Sequence, residues 1–122
     1  MRGYTMENLM LPTGKWTIYG NKEGGLLEIS SIDSEGNLTA TAFGDKITGS
    51  FNVSSGEITF TRTPKGSVDT WQLYTGYISM WYGGEDGQGG EIYLLGGSYS
   101  NVGVGTVFHR FGWYATPGWK WG

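Results

Sequence analysis

Apolar and polar residues alternate along this chain in short runs, interrupted by turn residues at intervals of roughly ten positions. The first run, residues 14–20, reads Gly-Lys-Trp-Thr-Ile-Tyr-Gly and closes on a turn at 21–25. The second, 26–32, ends at Asp33-Ser34-Glu35-Gly36-Asn37. In the third, 38–43, Leu38, Ala40 and Ala42 alternate with Thr39 and Thr41 before a two-residue turn candidate, Gly44-Asp45. The fourth, 46–52, sets Ile47, Gly49 and Phe51 on one face; the fifth, 57–63, sets Ile58 and Phe60 inward. A period of two with Thr and Ser on the other side predicts half-buried strands. After a longer link at 64–70 come three further runs, 71–82, 91–100 and 106–115, separated by the glycine-rich link 83–90 and by 101–105. No stretch keeps a helical period over a useful length.

Eight short strands joined by hairpin-sized links leave no room for parallel crossovers, which need a dozen or more residues. The pattern therefore predicts an all-β fold, an antiparallel up-and-down meander. Closing it into an eight-stranded barrel removes two exposed edges. A two-sheet sandwich is the alternative, but its Greek-key connections need a long link, for which only 64–70 and 83–90 are available. The expected organisation is an N-terminal tail at 1–13, one barrel domain at 14–115 and a C-terminal tail at 116–122.

The last three strands differ from the first five. In the sixth, one face carries Trp71, Leu73, Thr75, Tyr77, Ser79 and Trp81, and the other Gln72, Tyr74, Gly76, Ile78, Met80 and Tyr82. Neither face is properly polar, so two burials need explaining. One face fills the interior, and the other is expected to meet a second protein surface. This predicts a homo-oligomer, a dimer or a tetramer, formed through 71–82, 91–100 and 106–115. Tails laid over the outer face are the alternative. Aromatic bodies mixed with hydroxyls make Trp71, Thr75, Tyr77, Ser79 and Trp81, together with Trp113, the expected ligand-binding residues, since pockets combine apolar walls with a few directional polar groups.

Charge and composition narrow the partners. Net charge is −3, with charges scattered singly, which argues against a phosphate-binding surface and hence against nucleic acid. The absence of cysteine excludes disulfides and thiolate metal sites. No run has the length of a membrane-spanning helix, and 1–11 lacks the pattern of a signal peptide, so a cytoplasmic location is expected. Chemistry is thinly represented. His109 stands alone; its expected role is structural, with haem ligation as the sharper option. No Ser-His-Asp arrangement is expected around this single imidazole. Glu85 and Asp86 lack the spaced oxygen pattern of a calcium loop. No enzyme activity, metal or cofactor is expected.

Gly14-Lys15-Trp16 opens the first strand and Arg110 lies in the last. A G-x-W at the head of an eight-strand meander, with a basic residue in the final strand, resembles the calycins. Together with Asp33-Ser34-Glu35-Gly36-Asn37-Leu38-Thr39 and Ile47-Thr48-Gly49-Ser50-Phe51, the chain is most similar to the avidin and streptavidin group. The resemblance implies a barrel with a cavity, Trp16 buried at one end and Arg110 packed across its ring. It does not imply biotin: the positions of that group's polar ligands fall on Ile18 and Ala42, and residues 57–60 hold no counterpart of its tryptophan. The expected function is non-catalytic binding of a small, partly apolar molecule in the barrel mouth. Two other readings stand beside it: a glycan-binding protein using Trp119, Trp121 and the Gly/Tyr-rich loops, and a structural or interaction module with a plugged barrel.

Overall fold

The computed structural model describes residues 10–20, 23–67, 69–82, 91–103 and 109–117. Its strands are β1 (Gly14–Gly20), β2 (Glu23–Ile32), β3 (Leu38–Ala42), β4 (Asp45–Asn52), β5 (Glu57–Arg62), β6 (Thr70–Tyr82), β7 (Glu91–Gly103) and β8 (Arg110–Pro117). Each pairs antiparallel with the next, and β8 returns to β1, so the sheet is a closed up-and-down barrel. The sandwich alternative is excluded by that closure.

Short-range chemistry sets the turns. Asp33 Oδ1 accepts from the backbone N–H groups of Glu35 and Asn37, both at 2.8 Å, and Gly36 takes a φ of 90°. These hydrogen bonds, led by that from Asn37, hold the Asp33 carboxyl below its ordinary pKa. Asn52 repeats the device between β4 and β5, accepting from Ser54 N at 2.8 Å, with Gly56 at φ 79°. The β3–β4 turn lies one residue earlier than the sequence suggests. Phe43 (φ 53°) and Gly44 (φ 85°) form it, and Asp45 pairs with Ala42 inside the ladder.

Inward positions follow the period of two. Ile18, Leu27, Ile29, Ala40, Ala42, Ile47, Ile58, Phe60, Leu95 and Ala115 are all buried. A register shift between Ile29 and Ser31 puts both Ser30 and Ser31 outside without losing the inward set of β2. Trp16 is 1% exposed, and its Nε1 donates to the Pro12 carbonyl at 3.0 Å beside buried Leu11. The aromatic end expected from Gly14-Lys15-Trp16 is present. The partner expected for it is not. Trp16 pairs with Pro117, which is 117 − 110 = 7 residues along β8 from Arg110. At about 3.3 Å per residue those seven steps amount to roughly 23 Å, and Arg110 is an exposed residue opposite Ser100.

Candidate functional site: the polar layer at the barrel mouth

The end of the barrel opposite Trp16 is built from successive cross-strand rows. The first row pairs Gly49 with Phe60, Phe60 with Tyr74, Tyr74 with Tyr99 and Tyr99 with Phe111, running from β4 to β8. Direct cross-strand neighbours stack because their Cβ atoms are about 5 Å apart. Phe60 and Tyr74 lie 4.6 Å apart at 11°, Tyr74 and Tyr99 4.6 Å apart at 16°, and Tyr99 and Phe111 5.3 Å apart. Beneath this stack the next row holds Gly76 and Gly97, opposite each other, with Trp113 opposite Gly97. The indole occupies the space that Gly76 leaves. A β-carbon on Gly76 would meet its Cζ2 at 2.8 Å, and its Nε1 donates to the Thr75 carbonyl at 3.1 Å. Aromatic rings thus floor the mouth.

Above the stack, one step toward the rim, the interior turns polar. Arg62, Gln72 and Asn101 occupy one row. The Arg62 guanidinium donates through Nε to Asp45 Oδ2 at 2.9 Å, places a second nitrogen 2.9 Å from the same oxygen, and donates to Gln72 Oε1 at 2.8 Å. The Gln72 amide donates onward to Asn101 Oδ1 at 3.4 Å, and the Tyr74 hydroxyl rises from the row below to donate to Gln72 Oε1 at 2.9 Å. Phe43 supports the guanidinium from its other side, with its ring centre 4.7 Å away. That ring also fills the volume a side chain at Gly25 would take. The Arg62 and Asp45 side chains are only 17% and 16% exposed. Burial pushes the Tyr74 phenol up to about 12, against the pull of Arg62; burial, then the Glu23 carboxylate, raises Tyr99 as well.

The expected ligand residues are not brought together. Trp71, Thr75, Tyr77 and Ser79 lie on the outer face of β6, where Trp71 is 39% and Tyr77 56% exposed. Among the described side chains of that set, Trp113 alone faces the interior. Trp81 belongs to β6, but its side chain lies outside the described residues, as do Trp119, Trp121 and the Glu85-Asp86 link. The inward face of β6 is the one carrying Gln72, Tyr74, Gly76 and Ile78. Parity held a signal for the polar layer: Arg62 follows Ile58 and Phe60, and Gln72 precedes Tyr74, each on the inward side. His109 is exposed, with its ring 6.3 Å from that of Phe111. Among the described residues no three His, Asp or Glu side chains are grouped as metal ligands, and no helix is long and apolar enough to cross a membrane.

Concavities among the described residues include two away from the mouth. One, about 550 Å³, has an apolar floor of Met10, Ile32, Phe51 and Val53 beside the Asp33–Gly36 turn. The other, about 260 Å³, runs over Leu73, Thr75, Ser98 and Arg110 on the outer face. Comparison with protein families, with curated proteins and with solved structures finds no match to this chain.

Proposed function

We propose that this protein is a non-catalytic binding protein whose small, partly apolar ligand rests on the aromatic floor at the barrel mouth. The observation that carries the reading is the Asp45–Arg62–Gln72–Asn101 chain of hydrogen bonds set directly above the stacked Phe60, Tyr74, Tyr99 and Phe111 rings. A barrel that needed only filling would be served by aliphatic residues. Polar groups fixed at one end by mutual hydrogen bonds supply oriented donors and acceptors over an apolar surface, the usual composition of a small-molecule site. Closure into eight strands and the buried Trp16 support a calycin-like kinship; Arg110 contributes nothing to it.

Native mass spectrometry of the chain purified from its own host tests the reading. The expected result is a retained small molecule on the unaltered protein that is lost from Gln72→Leu, whose fold, read by circular dichroism, is kept. A bare chain that also fails to shift any member of a small-molecule fragment library in ligand-observed NMR would refute it.

A further inference from the structure

The outer face of β6, β7, β8 and β1 carries a row the mouth does not use. Tyr77 pairs with Gly96, Gly96 with Tyr114, and Tyr114 with Tyr19, so the four residues lie side by side across four strands. The tyrosines are 56%, 48% and 41% exposed in the order 77, 114, 19. Tyr114 and Tyr19 stack on each other at 4.9 Å and 27°, a ridge standing beside the notch at Gly96. The fold itself does not require that notch. A β-carbon on Gly96 would find its nearest neighbour, outside the adjoining residues, at 3.6 Å, and one on Gly112 at 3.9 Å. Neither glycine takes a positive φ. Elsewhere in the barrel, at Gly49, Gly76 and Gly97, an added β-carbon runs into backbone. Gly96 and Gly112 are the glycines of β7 and β8 that the chain's own packing leaves room to substitute by a β-carbon.

We propose that this face is a two-fold interface with a second copy of the same chain. Self-complementarity selects that occupant. A two-fold axis parallel to the strands, midway between β7 and β8, lays Tyr114 of each copy over Gly96 of the other and Tyr77 over Tyr19. In the next row toward the mouth, Ser98 and Gly112 are directly paired, and the same operation sets each over the other. A patch that meets its own image also meets its own charges. Across β6, β7, β8 and β1 this row and the Thr75–Ser98–Gly112 row carry none; charge borders them, with Glu57 on β5 directly opposite Tyr77 and Arg110 on β8 opposite Ser100 in the following row. Nine residues of β6 at about 3.3 Å by four strands at about 4.8 Å give a footprint on the order of 500 Å². Upright rings raise the accessible area toward the roughly 800 Å² that each partner of a standard interface buries. The inference is independent of the mouth, which opens on the other side of the sheet.

Sedimentation equilibrium of the full chain at micromolar concentration tests it. The unaltered protein is expected at twice the chain mass of 13.3 kDa, or at four times that mass if dimers pair again. Gly96→Gln, whose β-carbon would meet nothing closer than 3.6 Å, and Tyr77→Lys, at an exposed site, should each run at 13.3 kDa with an unchanged circular dichroism spectrum. An unaltered chain that sediments as a monomer overturns the proposal. So does an oligomer that survives both substitutions, since its contacts then lie elsewhere.

Discussion

Single residues carry the largest local energies at the two ends of the barrel. Trp16 fills the end beside Leu11 and is among the largest fully buried side chains. Trp16→Ala should cost about 3–5 kcal/mol, measured by urea unfolding, through lost burial and the cavity left behind. At the mouth, Tyr74 is the residue whose protonation state matters to the fold. Its phenol ionises near 10 when unfolded and at about 12 when folded. The folded chain thus holds that proton more tightly. Stability from this group is fully present below pH 10 and is lost as pH rises through about 12. The expected slope approaches about 1.4 kcal/mol per pH unit in that window, less in Tyr74→Phe, where the phenol is gone. Melting temperatures followed from pH 9 to 12 in both proteins would check it; identical curves would contradict it. Phe43 shows a different balance. A bulky residue at φ 53° is strained, and its stacking under Arg62 and over Gly25 offsets the strain.

Among the elements, the β6–β7 pair is the longest ladder, running from Thr70–Gly103 to Tyr82–Glu91. Its glycines separate two roles. Gly97 sits where a β-carbon would run into the Thr75 carbonyl and crowd Gly76, so backbone must move to admit one. Gly97→Ala should therefore destabilise by about 1–3 kcal/mol. Gly96→Ala, one residue away on the outer face, should change monomer stability by less than about 0.5 kcal/mol. Chemical denaturation of the two variants under conditions that keep both monomeric compares them directly; equal losses would show that the ladder does not distinguish inner from outer glycines. The contrast also explains why β6 and β7 look apolar on both sides. Trp113 needs the open space at Gly76 for its ring, while the exposed tyrosines outside form the face proposed to meet a second copy.

At the scale of the whole molecule, the barrel closes one end with apolar rings and lines the other with hydrogen-bonded polar side chains. Ile18 and Ala42 are fully buried and face that interior as apolar groups. They offer no hydrogen bond where the avidin group has polar ligands. Isothermal calorimetry with biotin is therefore expected to show no binding tighter than about 1 μM. An affinity at that level needs about −8 kcal/mol, and a clear titration there would show that other contacts replace the missing ones.

Strand number, order and antiparallel sense were legible because each depends on local information: a period of two, glycine and Asx turns, and links too short for crossovers. The burial of Trp16 at one end came instead from the resemblance carried by Gly14-Lys15-Trp16, and the structure buries it. What the sequence could not decide was which side of β6 faces in. Tyr74 and Tyr77 differ by one step of parity and little in character, so strand pattern alone weighs both faces equally. Tertiary packing settled it, through Phe60 stacking on Tyr74 and Trp113 seating against Gly76. The same packing carried Trp71, Thr75, Tyr77 and Ser79 outside. It also gathered Asp45, Arg62, Gln72 and Asn101, drawn from four strands, into one layer. Their spacing in the chain says little about that meeting, because it is fixed by the register of non-local strand pairs, and register exists only once the barrel has closed.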